Sequence, residues 1–268
     1  MIRGVIFDLG GTLVDKYSLS SVLNLRKALN HHKVTLPDSL IARDIGLGLY
    51  DHISRLSYEQ PFRDEFLKNH GRPHTCRDLN EIYECFNEHQ TVYMRDALDI
   101  VPEAVKTLRN LRDKDIKLGI TTGFNRDQMD LCLDLLSKYE IYPDSAVSST
   151  CLDYSSRPEQ HMIQMNMITM GIDNPKEILK VDDTIMGIAE GHYADCICVG
   201  VARWSVNMNI YTLEDKYKYD YEKFKGELEY DEYRMIVRDK LKECRKTLHL
   251  AEPCYVINTL KDLENCLF

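Results

Sequence analysis

The chain has 268 residues, 44% hydrophobic and 29% charged, with 43 acidic against 34 basic side chains and a formal net charge of −9. That length supports one large or two modest domains around a well-buried core. The acidic balance, without any basic block, argues against a nucleic-acid surface, and no window approaches the length of a membrane span. Nine cysteines without a Cys-x-x-Cys pair or regular spacing read as reduced thiols, several of them small hydrophobes in apolar patterns. The amino terminus enters a strand directly, with no charged leader or apolar stretch of a signal peptide. A cytoplasmic protein that binds neither membrane nor nucleic acid is expected.

In chain order, the apolar run Gly4 to Phe7 is a strand that ends in Asp8, and Gly10, Gly11 and Thr12 follow at once. From Lys16 to about Asp96 the pattern is helical, without convincing strands, and reads as an insertion after the first strand. Val101, Ala104, Val105, Leu108 and Leu111 form one helical stripe. Ile116 to Thr121 is a strand, Arg126 to Tyr139 a helix, and Ser145 to Ser149 a weak strand. Pro158 suits the first turn of a helix running to Met170, ended by Gly171. Ile178 to Val181 is a strand, Ile185 to Glu190 a short helix, and Cys196 to Val201 another strand. Tyr211 to Lys246 reads as polar, solvated helix, Cys254 to Ile257 as a strand, and Thr259 with Asp262 as the capped start of a last helix. Alternating strands and helices predict an α/β fold, a parallel sheet covered on both faces.

Ligands in such sheets bind at the carboxyl ends of strands, and four polar clusters fall there. Asp8 ends the first strand, with Gly10 and Gly11 able to bring backbone amides to an anion. Thr121, Thr122 and Gly123 end the second, offering a hydroxyl and amides to phosphate. Arg157 precedes a helix, and Asp182-Asp183-Thr184 follows a strand, where paired carboxylates suit Mg²⁺. Each cluster alone is a common turn or cap. A carboxylate beside bound phosphate is repelled unless a cation or covalent chemistry joins them, so all four in order suggest that Asp8 is a nucleophile working with a metal.

On these residues the chain resembles the haloacid dehalogenase superfamily, and within it the phosphonoacetaldehyde hydrolases, or phosphonatases. The resemblance covers nearly the whole chain and is sharpest at 121–130, 157–162, 180–184 and 255–260, and in the segment Ile45-Gly-Leu-Gly-Leu-Tyr-Asp-His-Ile53. It implies a Rossmann-like doubly wound core, residues 1–15 and 97–268, with a helical cap at 16–96. It further implies an aspartyl-phosphoryl intermediate on Asp8, with Mg²⁺ held by Asp8, the Gly10 carbonyl and the Asp183 side, Asp182 beside it. Thr122 would hold a phosphoryl oxygen, and Arg157, where most of the superfamily has lysine, would clamp the phosphoryl group. Gly10, Gly11, Thr12, Thr121 and Gly123 complete the expected substrate-binding set, and His52, matching the cap histidine, is a candidate proton donor. The implied partner is a small phosphorylated metabolite, and the subfamily suggests a homodimer.

The chain departs from that pattern in several places. Gly10 stands where superfamily phosphatases carry a second aspartate as general acid, a feature phosphonatases share. Leu49 occupies the position of the phosphonatase lysine, three residues before the histidine, that forms an imine with the aldehyde. Lys16 is the only lysine near the nucleophile in sequence. Gly187 replaces the metal aspartate four residues after Asp183, while Asp182 stands where a glycine would be. Phe124 replaces a usual tyrosine. The expected activity is a phosphonatase-like hydrolase with its substrate shifted away from phosphonoacetaldehyde. A catalytically silent relative and a true phosphonoacetaldehyde hydrolase are the alternatives.

Overall fold

Apolar runs become parallel strands in a computed structural model that describes residues 1–152, 157–219 and 230–267. They are β1 (Gly4–Phe7), β2 (Lys117–Thr122), β3 (Ser145–Ser148), β4 (Ile178–Asp182), β5 (Ile197–Val201) and β6 (Tyr255–Ile257). Their order is β3-β2-β1-β4-β5-β6, each neighbour parallel. β1 and β4 are buried along their whole length, which is why they read as continuous apolar runs rather than alternating ones. Phe7 pairs with Ile120 on one side and Val181 on the other. That register brings Asp8, Thr121-Thr122 and Asp182-Asp183 out at one edge of the sheet.

The helices between β1 and β2 are α1 (Leu19–His31), α2 (Asp38–Ala42), α3 (Leu49–Ser57), α4 (Gln60–His70), α5 (Cys76–Ala97) and α6 (Ala104–Arg112). The first five form the cap. Val22, Leu25, Ile53, Phe62, Phe66, Ile82 and Phe86 bury one another there in a core separate from that of the sheet, each worth about 1.5–3 kcal/mol on burial. The chain passes between sheet and cap at two adjacent points. Asp15 N donates to the Asp99 carbonyl at 2.9 Å, Lys16 N to Asp99 Oδ1 at 3.3 Å, and Val14 bridges Ile100.

The remaining helices are α7 (Arg126–Ser137), α8 (His161–Met170), α9 (Ile185–Tyr193), α10 (Leu213–Tyr219) and α11 (Tyr230–His249). α7 starts on an Asn125–Gln128 capping box, and α8 ends at Gly171 in the left-handed region, at φ 67°. α8 begins at His161, three residues later than the Pro158 start expected from sequence. The Thr259–Asp262 box opens a 3₁₀ helix, Leu260–Cys266, rather than an α-helix.

The solvated reading of 211–246 needs correction where the chain is described; residues 220–229 lie outside the described residues. Val237, Cys244 and Leu248 of α11 are buried at helical spacing, the last two in the same core as Val199, Val201 and Ala202. Lys and Glu on the outer face masked this stripe. All nine cysteines are free, and among the described residues no helix is long and apolar enough to cross a membrane.

Candidate active site

β1 delivers Asp8 to the sheet edge, where its amide donates to the Val181 carbonyl at 3.0 Å. Asp8, Asp182 and Asp183 are all buried, and their carboxylate oxygens lie within 4.8 Å of one another. Asp183 accepts from Thr12 Oγ1 at 3.3 Å and from Val206 N at 3.2 Å, while Ser205 Oγ holds its carbonyl at 2.6 Å. Gly11 has φ 75°, and a Cβ there would lie 2.4 Å from Asp183 Oδ2. Only glycine lets the backbone turn and approach the carboxylate this closely.

Asp182 faces the other way. Its Oδ1 accepts from Thr184 N at 2.9 Å and Thr184 Oγ1 at 2.8 Å, and its Oδ2 lies 2.9 Å from Lys180 Nζ and 3.4 Å from Arg157 Nη2. A Cβ at residue 187 would sit 1.8 Å from that same Oδ2. The aspartate that the resemblance leads one to expect at 187 is therefore sterically replaced by Asp182, whose carboxylate fills the space where a side chain at 187 would begin.

Arg157 is buried and fully engaged. Nη1 meets Asp8 Oδ1 at 2.9 Å and the Gly46 carbonyl at 3.4 Å. Nε meets Glu190 Oε2 at 2.8 Å, and Nη2 donates to the Thr121 carbonyl at 2.8 Å and Oγ1 at 2.9 Å. Glu190 Oε2 also takes Lys180 Nζ at 3.2 Å and Thr121 Oγ1 at 3.0 Å, while its Oε1 has no hydrogen-bond partner. Glu190 and Lys180 were not among the sequence candidates. Each is a lone charge inside an apolar run, Ile-Leu-Lys-Val on β4 and Ile-Ala-Glu-Gly on α9, and pairing two such opposite charges was the available signal.

Electrostatics follow from burial. It raises Asp8 to about 7, with Asp182 adding to the rise and Arg157 and Lys180 opposing it. Burial also raises Asp183 well above the usual carboxylate range, helped by Asp8 and Asp182. At Asp182 burial is outweighed by Lys180 and Arg157, which hold it below that range. Four buried carboxylates (Asp8, Asp182, Asp183, Glu190) face two buried cations (Arg157, Lys180). A hard divalent cation suits this oxygen-rich, net-anionic cluster.

In front of the cluster lies a cavity of about 50 Å³ between sheet edge and cap, lined by Asp8, Gly10, Thr122, Gly123, Arg157 and His52 among others. Gly11, Thr12, Asp182 and Asp183 stand behind its wall. Thr121 does too, its hydroxyl occupied by Glu190, Arg157 and Lys180. Leu49 and Phe124 line the cavity, and among the described residues no lysine does. Lys16 is turned aside, its Nζ 3.9 Å from Asp99 Oδ2 and 4.9 Å from the Trp204 ring centre. His52 is buried, which lowers its pKa to about 4, and its Nε2 has no partner.

A family model for haloacid dehalogenase-like hydrolases matches residues 2–195. A phosphonoacetaldehyde hydrolase of Aliivibrio salmonicida is 27% identical over 98% of this chain and 92% of its own length. One of Vibrio campbellii is 31% identical over 75% of this chain and 74% of its own length. The crystal structure of a phosphonoacetaldehyde hydrolase-like protein from Oleispira antarctica superposes with a TM-score of 0.86 at 22% identity, covering 99% of this chain and 91% of that one. With its parallel sheet, inserted helical cap and buried aspartate cluster, the chain belongs to the haloacid dehalogenase-like hydrolases.

Proposed function

We propose that this hydrolase removes a phosphoryl group from a small metabolite through an aspartyl-phosphoryl intermediate on Asp8. One observation carries the reading. Asp8 lines the cavity, meets Arg157 Nη1 at 2.9 Å, and shares a 4.8 Å cluster with Asp182 and Asp183. Mg²⁺ held by Asp8, Asp183 and the Gly10 carbonyl, with Asp182 beside them, would supply the positive charge that lets an anionic nucleophile meet a phosphoryl anion. The Gly11 cradle against Asp183 and the net negative charge of the cluster support that fit.

An Asp8 oxygen bonds to phosphorus as the bond to the leaving group breaks. Water then cleaves the acyl phosphate, returning Asp8 and releasing inorganic phosphate. Thr122, Gly10 and Gly123 are assigned to the phosphoryl oxygens, and Arg157 offsets their charge while orienting Asp8. Asp182 and Glu190 hold Arg157 in register from behind.

The leaving group receives little help. Residue 10 is glycine, Leu49 provides no amine, and His52, held neutral by burial, is not an imidazolium acid. General acid catalysis is typically worth about 10²–10⁴-fold, so acyl, enol and aryl phosphates, which need no proton, are the favoured substrates. With Mg²⁺, acetyl phosphate and an aryl phosphate should release phosphate above an Asp8→Asn control. Release from phosphonoacetaldehyde with a borohydride-trapped adduct would overturn the substrate assignment, and no release from any of the three would overturn the hydrolase reading.

A further inference from the structure

Several side chains of the cavity in front of Asp8 carry a hydroxyl or an amide, and three of them are engaged within the protein. Gln128 Oε1 accepts from Asn125 N at 3.3 Å, and its Nε2 donates to Asn87 Oδ1 at 3.0 Å. Thr184 Oγ1 donates to Asp182 Oδ1 at 2.8 Å and accepts from Gly187 N at 3.1 Å. Thr122 Oγ1 accepts from Phe124 N at 3.2 Å, and its proton is assigned to a phosphoryl oxygen. Ser18 and Ser21 are different. Both line the cavity, and among the described residues neither hydroxyl has a hydrogen-bond partner.

Ser18 is the N-cap of α1, and Ser18, Ser21 and Leu25 follow at i, i+3 and i+7, so one face of that helix meets the cavity. Ser18 is 2% exposed, and the surface it keeps belongs to the cavity. A Cβ at residue 10 would lie 3.3 Å from its Oγ, which puts the hydroxyl beside Gly10, two residues from the nucleophile. The backbone is strained to put it there. Ser18 has φ 47° and ψ 35°, the left-handed region that a non-glycine residue rarely occupies. Ser18 N, donating to the Asp15 carbonyl at 2.8 Å, helps to hold that turn. Such strain persists only where the surrounding structure enforces it, and it gathers at ligand sites. A buried hydroxyl without a protein partner in such a place is fitted to a ligand.

An ionised phosphate offers its oxygens only as acceptors, so both hydroxyls must donate to it or to what it carries. Thr122, the Gly10 and Gly123 backbone and Arg157 are already assigned to the phosphoryl oxygens, which leaves the donors on α1, a cap helix, for the group attached to phosphorus. We propose that Ser18 and Ser21 donate to the two oxygens of a leaving carboxylate, and that this pair selects an acyl phosphate over an aryl phosphate. Side chains three residues apart on a helix face have Cβ atoms about 5–6 Å apart, a spacing from which two hydroxyls reach both oxygens of one carboxylate. As the Asp8 oxygen bonds to phosphorus, the electron pair of the breaking P–O bond passes to the carboxylate, which leaves as an anion without taking a proton. Ser18 and Ser21 keep their protons and stabilise the charge that develops there. An aryl leaving group has one oxygen and spreads its charge into the ring, so the pair serves it less well. The inference rests on the assignment of Asp8 as the nucleophile.

Initial rates of the Mg²⁺-loaded full chain on acetyl phosphate and 4-nitrophenyl phosphate test it. In Ser18→Ala and in Ser21→Ala, the ratio of kcat/KM for acetyl phosphate to that for 4-nitrophenyl phosphate should fall about 5–10-fold, the value of one hydrogen bond to a group gaining charge. Ser21→Thr keeps a hydroxyl and should hold the ratio within about 2-fold. Thermal melts separate a ligand role from a structural one. Ser18→Gly relieves the left-handed strain, so its melting midpoint should rise by about 1–4 °C while the ratio falls as in Ser18→Ala. A ratio unchanged in either alanine variant, or a lowered midpoint with equal losses on both substrates, would overturn the proposal and leave the hydrolase standing. No release from either substrate by the native chain above the Asp8→Asn control would refute the hydrolase reading, and the serine pair with it.

Discussion

Gly187 sits near the amino end of α9, where alanine would ordinarily stabilise the helix by up to about 0.5–1 kcal/mol. Here the sign should reverse. A methyl at 187 would lie 1.8 Å from Asp182 Oδ2 and 2.0 Å from its Cγ, so the carboxylate must move. Moving it strains the bonds to Lys180 Nζ at 2.9 Å and Thr184 N at 2.9 Å. Overpacking costs about 1–3 kcal/mol, and disrupting a buried ion pair up to about 3–5 kcal/mol. A net loss of about 3 kcal/mol for Gly187→Ala is therefore expected. At roughly 2–4 °C per kcal/mol in a chain of this size, the melting midpoint should fall by about 6–12 °C. In an Asp182→Ala background the obstruction is gone, and the same Gly187→Ala change should be neutral or stabilising. Thermal melts of the four proteins form a double-mutant cycle with an expected coupling of about 3 kcal/mol. Gly187→Ala that raises the midpoint of the otherwise unaltered protein, or effects that simply add, would refute the steric exchange between 182 and 187.

Glu190→Gln should cost about 3 kcal/mol or more in a melt, because it leaves Arg157 Nε and Lys180 Nζ without their shared carboxylate, and the KM for acetyl phosphate should rise as Arg157 loses its anchor. Stability should also depend on pH through Asp8. Its folded pKa of about 7 lies above the usual 3.8, so its contribution is complete below about pH 4 and is lost as pH rises through 7 in metal-free protein. Mg²⁺, which competes with that proton, should therefore raise the midpoint more at pH 8 than at pH 5.5, and an equal increment would contradict the assignment of Asp8 as a ligand. Leu49→Lys restores an amine three residues before His52 at the cavity wall, and borohydride with phosphonoacetaldehyde should then trap a covalent adduct detectable by mass spectrometry, with none formed by the native chain.

Much of the sheet was legible because parallel strands buried on both faces carry unbroken apolar runs, and because chemistry in such sheets gathers where strands end. Asp8, Thr122, Arg157 and Asp183 stand out as candidates on that ground. The structural role of Arg157 was not legible, since its partners Thr121, Lys180 and Glu190 come from β2, β4 and α9, and only the strand order β2-β1-β4 brings them together. Thr121 shows the limit of reading a Thr-Thr-Gly turn. Successive strand residues point to opposite faces, so Thr122 faces the cavity while Thr121 is spent on the ion cluster. The exchange of Asp182 for a residue at 187 was visible as two departures, but their being one spatial event needed the contact between strand end and helix. The buried stripe of α11 was hidden by a polar outer face.

Two chain crossings join the cap to the sheet, and they run side by side, tied through Asp99 to Asp15 and Lys16, with Lys216 Nζ of α10 adding a grip at 3.0 Å. Stitched together there, the two tethers make one seam between cap and sheet. That seam continues directly from the loop that carries the nucleophile. Asp99 thus joins the cap to the Asp8 loop from outside the cavity, and Asp99→Ala should change the rates of ligand entry and release, measured by stopped flow, without altering a residue of the cavity wall.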